Sequence, residues 1–190
     1  MNIQPCTASD RPKTLIACVG NMLLLDEGFG PYMARVLTER TVAGLYFDQA
    51  HVDTIMSMFR LDEVNAVDDG RIPVLDAGTI GMGLLPWFKE YERIIVIDII
   101  DTKNPAIPAG SVFVLTPEEM AENVVLHSLH DLKLVDVVNN CALAGHTADV
   151  TCICVQAKDY EPLDFCIDIT PELKAAIPLV MGALMEQLEA

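Results

Sequence analysis

Short apolar runs, separated by segments with helical spacing, organise this chain. Five such runs predict buried strands. They are Thr14–Val19, Ile72–Leu75, Ile94–Ile97, Val112–Leu115 and Thr151–Val155. The third run consists of β-branched residues only, which is typical of a central parallel strand covered on both faces.

The segments between these runs predict helices. Apolar residues after Pro31 repeat at helical spacing, and a proline suits the first turn of a helix. Thr116 and Glu119 have the spacing of a capping box. Further helices are predicted over 81–91, from a capping pair at Ser128 and Asp131, and from Thr170-Pro171 to the C-terminus, with Pro178 as a kink. The weaker pattern of residues 41–70 favours a short strand at Leu45–Phe47 and a helix over Asp53–Leu61.

The alternation of strand and helix predicts a fold class. It indicates a single α/β domain with a twisted, mostly parallel five-stranded sheet sandwiched between helices. The domain is expected over residues 14–190, and the polar residues 1–13 are expected to form a flexible N-terminal tail.

The charge of the chain excludes several classes of function. The sequence has 28 acidic and 12 basic residues, a net charge of −16. Nucleic-acid binding needs lysine and arginine to displace counterions, and no basic amphipathic stretch suits a membrane surface. The sequence has no signal-peptide h-region and no apolar run of the roughly 20 residues that span a bilayer, so we expect a cytoplasmic protein. Its six cysteines fit that compartment as reduced thiols, and Cys18, Cys152 and Cys154 lie in apolar runs as expected core residues.

Four side chains are expected at one edge of the sheet, because sites in open α/β sheets form outside the carboxyl ends of the strands. Glu27 follows the first strand across a short loop, and Asp76 ends the second. Asp98 directly follows the central run, and His130 lies at the start of a helix after the fourth strand. Desolvating a carboxylate beside four large apolar residues is costly unless it is paired, hydrogen-bonded or bound to a metal.

Each of these residues also has a structural interpretation. Asp98 is equally suited to accepting backbone N–H groups at a helix start, and Asp76 beside Gly78 suits a turn slightly better than a site. Glu27 alone fits a first-turn acid on a helix dipole, and His127 competes for any role given to His130. Together, Glu27, Asp98 and His130 form a mixed O/N ligand set that suits zinc, nickel, manganese or iron. Three protein ligands leave coordination positions open for substrate or water.

Other chemistries fit the sequence less well. The dinucleotide-binding pattern G-x-G-x-x-G is absent, since Cys18 and Leu23 occupy its first and third glycine positions, and this counts against one alternative, a small-molecule enzyme or nucleotide-binding α/β domain. The sequence contains neither a Walker A motif nor a G-x-S-x-G elbow. A cysteine–histidine nucleophile pair stays open, although no cysteine lies at the carboxyl end of a predicted strand.

Several motifs in order resemble one known family. They are Val19–Gly30, Leu75–Met82, Ile97–Ile100, Ser128–Val137 and Ile169–Glu172. From about Thr14 to its end, the chain resembles the hydrogenase maturation endopeptidases. The sequence departs from the family pattern at Cys18, where glycine is usual, at Lys133, where a small residue is common, and in the length of 41–70.

The resemblance implies a specific reaction. These enzymes remove a C-terminal extension from the large-subunit precursor of a nickel–iron hydrogenase after nickel has been inserted. Glu27, Asp98 and His130 match the family's metal-binding residues, and the nickel is expected to arrive within the precursor. Asp76 or Asp98 is a candidate general base, and metallo- and aspartate-type chemistry both stay open. A non-catalytic chaperone for the precursor's metal site is the alternative, and the oligomeric state stays open.

Overall fold

The computed structural model describes residues 13–63, 68–123 and 129–190; within these ranges, only the backbone is described at 82, 121–123 and 129–135. The predicted tail therefore lies outside the described residues, apart from Lys13. The strands are β1 Thr14–Val19, β2 Phe59–Leu61, β3 Ile72–Gly78, β4 Arg93–Ile100, β5 Val112–Leu115 and β6 Asp149–Gln156. The helices are α1 Phe29–Thr38, α2 Arg40–Ala43, α3 Gln49–Met58, α4 Leu85–Glu90, α5 Pro117–Asn123, α6 Leu129–Leu143 and α7 Pro171–Glu189.

One mixed sheet forms the centre of the domain, with strand order β2-β3-β1-β4-β6-β5. All neighbours pair in parallel except β5 and β6, which are antiparallel. The mostly parallel α/β sheet between helices is confirmed, and the Ile94–Ile97 run lies in β4, between β1 and β6. The described residues contain six strands, so the prediction of five was one too few.

The secondary structure predicted for residues 41–70 was partly wrong, and the additional strand lies in this segment. Phe59–Leu61 pairs with β3, although this segment was predicted as the end of a helix. That helix is α3, which begins earlier because the Asp48 side chain caps it by accepting from the His51 N–H at 3.0 Å. Leu45–Phe47 forms a turn and bend, so the strand predicted there was wrong. A three-residue strand is too short for a period-two pattern to reveal it.

Two apolar layers cover the sheet. One face packs with α1, α3 and α7 through Ile16, Cys18, Phe29, Ile55 and Leu173, among others. The other face carries Ala17, Val96 and Cys152 and packs with α4, α5 and α6 through Phe88, Met120 and Val137. The predicted burial of Cys18, Cys152 and Cys154 is confirmed, since all three are fully buried.

Local signals in the sequence account for several helix boundaries. The capping box of α5 is formed, with the Thr116 N–H donating to Glu119 Oε2 at 2.9 Å and the Glu119 N–H donating to Thr116 Oγ1 at 3.2 Å. The helix predicted over 81–91 divides into a 3-10 turn at Gly81–Leu84 and α4. Helix α7 continues through Pro178. None of the described helices combines the length and apolarity needed to cross a bilayer.

Candidate functional site

The loop after β1 folds back tightly onto the end of that strand. Gly20 has φ +142°, and a Cβ there would lie 2.0 Å from the Glu27 carbonyl oxygen. A Cβ at Gly30 would lie 1.9 Å from the Val19 carbonyl oxygen. Only glycine permits both approaches, so these two glycines allow the 3-10 helix Leu25–Gly28 to lie against the carboxyl end of β1.

Asp26 is the fully buried carboxylate that holds this loop in place. Its Oδ2 accepts the N–H groups of Lys158 and Asp159, each at 2.9 Å, and its Oδ1 accepts the Thr170 N–H at 2.8 Å. These bonds join the first loop to the segment after β6 and to the start of α7. Sequence reasoning missed Asp26, although it follows Leu23-Leu24-Leu25 as directly as Asp98 follows its own apolar run.

Glu27 lies at the carboxyl edge of the sheet, as predicted. Its 3-10 helix contacts β4, the strand that carries Asp98. The side chain is partly buried, and this burial, followed by the negative charge of Glu161, raises the pKa of the Glu27 carboxyl. The structure therefore places Glu27 on an element next to that of Asp98, in a partly desolvated position.

Asp98 is almost fully buried, with 5% of its surface exposed. It was predicted to end its strand, but β4 continues to Ile100 because Asp98 to Ile100 still pair with β6. One carboxylate oxygen accepts the Ile99 N–H at 2.7 Å. Alternation puts Asp98 on the face of Val96 and Ile100, which is the face covered by α4, α5 and α6.

Asp76 lies at the same edge but on the other side of the sheet. It is exposed and accepts the Gly78 N–H at 3.3 Å, the turn contact that its sequence context favoured. Alternation puts it on the face of Val74. It pairs in register with Cys18, and burial, then the negative charges of Asp76 and Asp98, raises the pKa of the Cys18 thiol. The two carboxylates are thus near one another but point to opposite faces.

His130 is the second residue of α6, which confirms its predicted place at a helix start. Its side chain lies outside the described residues, as do His127 and the Ser128 capping residue. Helix α6 packs through Val137 and Cys141 on the face that holds Asp98. Among the described side chains, no three histidine, cysteine, aspartate or glutamate residues cluster closely enough to hold a metal ion.

A polar cluster that sequence reasoning did not find closes the edge beyond β4. Asp101 Oδ2 accepts the Tyr160 hydroxyl at 2.6 Å and pairs with Lys103 Nζ at 2.5 Å. Burial raises the pKa of the Asp101 carboxyl, but the hydrogen bonds from Lys103 and Tyr160 outweigh it and hold that pKa well below its usual value. The Thr102 N–H and hydroxyl both donate hydrogen bonds to Gln156 Oε1, at 3.1 Å and 2.8 Å. No motif spacing joins residues so distant in sequence.

The fold and the carboxyl edge of its sheet define a class of protein. It is an open α/β domain in which carboxylates lie where the parallel strands end. The sequence profile described as HycI, hydrogenase maturation protease, matches residues 53–187, more than half of the chain. The chain therefore belongs to the hydrogenase maturation protease family, which is a family of endopeptidases.

Individual relatives agree with this assignment. The chain is 28% identical over 182 residues to the hydrogenase 2 maturation protease of Escherichia coli, covering 92% of each. It is 24% identical over 182 residues to the hydrogenase expression/formation protein HupD of Rhizobium leguminosarum, covering 94% of this chain and 75% of HupD. Among solved structures, the maturating endopeptidase HybD of E. coli has the same fold, with a TM-score of 0.68, 24% identity and coverage of 93% and 92%.

Proposed function

We propose that this protein removes the C-terminal extension of a nickel–iron hydrogenase large-subunit precursor after nickel insertion, and that Glu27, Asp98 and His130 recognise the precursor's nickel. The observation that carries the proposal is the position of Asp98. A carboxylate buried on the α6 face, two residues before the end of a central strand, is expensive to keep desolvated. A cation presented at that edge would be attracted by this carboxylate, which is also an oxygen ligand that nickel accepts.

The ligand set suits this task. Glu27 lies on an element that contacts β4, and His130 lies on the helix that covers the Asp98 face. Two carboxylates and one imidazole bind nickel readily and leave coordination positions for ligands that belong to the precursor. Nickel already bound in the precursor then signals that metal insertion is complete. The protein cleaves only a precursor that it can bind through this nickel.

The proposed reaction is hydrolysis of one peptide bond. The nickel fixes the precursor's C-terminal segment at the edge and polarises the scissile carbonyl. Water adds to the carbonyl carbon and gives its proton to a carboxylate, the C–N bond breaks, and the leaving amine takes up that proton. Asp76 is the proposed proton acceptor because it is exposed at the same edge of the sheet as Asp98, close enough that both carboxylates act on Cys18 between them. Cleavage is proposed to occur in the cytoplasm, the compartment expected from the sequence.

A pair of histidine variants tests the ligand assignment. His130→Ala is expected to lower processing of the nickel-loaded precursor by roughly 100-fold or more, because a lost ligand removes several kcal/mol of positioning and polarisation. His127→Ala is the matched control, three residues away, and is expected to process within about twofold of wild type. The readout is the intact mass of the large subunit against time, with circular dichroism melts to verify folding. Normal processing by the His130 variant would remove it from the site.

A further inference from the structure

A strip of exposed apolar side chains runs beside the first loop. Leu163, Phe165 and Ile167 lie at alternate positions of the segment that pairs with this loop through Cys166, and they are fully, 80% and 69% exposed. Met22 and Leu23, on the adjoining loop, are also exposed. We name these five side chains the docking strip. Several large apolar side chains exposed on two paired segments favour the binding of a partner, because exposing them to water is unfavourable.

The backbone of this segment has one side already paired. The Cys166 N–H donates to the Leu23 carbonyl at 2.9 Å, and the Leu25 N–H donates to the Cys166 carbonyl at 3.1 Å, forming a parallel bridge between Leu24 and Cys166. Backbone polar groups alternate sides along an extended chain. Those of Phe165 and Ile167 therefore point away from the first loop, and within the described chain no backbone group pairs with them. That outer side is an open edge for another strand.

The charges around the strip select the chemistry of its partner. Asp159, Glu161 and Asp164 are exposed and form no side-chain hydrogen bond or ion pair with the described residues. The nearby cations are already used, since Lys158 pairs with Glu172 at 2.5 Å and Lys174 pairs with Asp168 at 2.8 Å. A segment with lysine or arginine beside apolar residues complements this surface better than an acidic one.

The strip is continuous with the proposed site. Leu23 and Leu25, whose backbone groups hydrogen-bond to Cys166, precede Glu27 by four and two residues in the same loop. An extended chain rises roughly 3.3 Å per residue, so the two-residue step from Leu25 to Glu27 spans at most about 7 Å. The influence of Glu161 on Glu27 is consistent with that closeness.

We infer that the docking strip binds an extended, apolar and basic segment of the large-subunit precursor by β-strand addition along Phe165–Ile167. This inference rests on the proposed function and gives it a second recognition element. Backbone hydrogen bonds supply the affinity, and alternate side chains meet Leu163, Phe165 and Ile167. The proposed nickel site recognises the metal, and the docking strip positions the precursor segment for cleavage.

The test compares serine substitutions on the strip with one elsewhere. Phe165→Ser and the double variant Leu163→Ser/Phe165→Ser are expected to raise KM for the nickel-loaded precursor tenfold or more, with kcat within twofold of wild type. Leu143→Ser is the control, because Leu143 is 86% exposed at the end of α6, away from this edge. It is expected to leave both constants unchanged. Asp164→Lys is expected to raise KM and to weaken its dependence on salt.

The outcomes separate this inference from the proposed function. Failure of the wild-type protein to cleave the nickel-loaded precursor would refute the proposed function itself. Cleavage by wild type with unchanged KM in both strip variants would overturn the strip alone. Sedimentation velocity provides the remaining test: a wild-type dimer that Phe165→Ser dissociates, with KM unaltered, would assign the strip to self-association instead. Unchanged thermal melts of the serine variants keep a folding defect from imitating the expected result.

Discussion

Asp98→Asn is expected to lower precursor processing by roughly 100-fold or more while the protein remains folded. The substitution keeps the shape of the side chain, so the core around Val96 and Ile100 stays packed. It removes the buried negative charge that we propose faces the precursor's nickel, and a neutral amide is a much weaker ligand. The asparagine keeps one oxygen that can accept the Ile99 N–H, so the melting temperature is expected to stay within a few degrees of wild type.

Asp149→Asn is the matched control for this variant. Asp149 begins β6 at the opposite edge of the sheet and is exposed, so the same chemical change there is expected to leave processing unchanged. The measurement is the rate of mass loss of the nickel-loaded large subunit, together with a thermal melt. Near-wild-type processing by Asp98→Asn would remove Asp98 from the site, and loss of folding in that variant would assign it a structural role.

Asp26→Asn is expected to destabilise the fold by about 2–4 kcal/mol, which is a loss of roughly 5–15 °C in melting temperature. Both carboxylate oxygens accept backbone N–H groups, from Lys158 and Asp159 on one side and from Thr170 on the other. An amide keeps only one oxygen and turns its NH₂ group toward a donor. At least one buried N–H then loses its acceptor, and the carboxylate's charge-assisted bonds are lost.

Asp159→Asn tests whether this loss is specific to the buried carboxylate. Asp159 donates its backbone N–H to Asp26, but its own side chain is exposed, so the control is expected to melt within about 2 °C of wild type. Urea unfolding followed by circular dichroism gives the free energy of unfolding for both. Equal stability of the two variants would show that the first loop does not depend on Asp26.

The fold was predictable where burial dominates the sequence pattern. β4 and β6 are covered on both faces, and their apolar runs therefore identified them without ambiguity. Phe59–Leu61 was missed because only three residues pair there, and its identity as a strand depends on contact with β3 rather than on local sequence. The capping box at Thr116 was recognised because both partners lie within one turn.

The candidate site was less predictable, because its parts meet through the fold. The positions of Glu27, Asp76 and Asp98 at one edge followed from the rule for parallel sheets. That Asp76 and Asp98 point to opposite faces depends on strand alternation and register, which needed the exact strand bounds. Asp26 accepts hydrogen bonds from the backbone of Lys158, Asp159 and Thr170, and Asp101 accepts one from the Tyr160 hydroxyl. These partners lie far away in sequence, so no local spacing could link them to the two aspartates. The choice of nickel came from the family resemblance and stays a prediction.

The central claim is that the protein recognises nickel within its substrate, and one comparison tests it most directly. Purified wild-type protein is incubated with nickel-loaded and with nickel-free large-subunit precursor, and the intact mass of each precursor is followed. We predict that the loaded precursor loses a single C-terminal fragment while the nickel-free precursor keeps its full mass. Cleavage of both at equal rates would contradict the account.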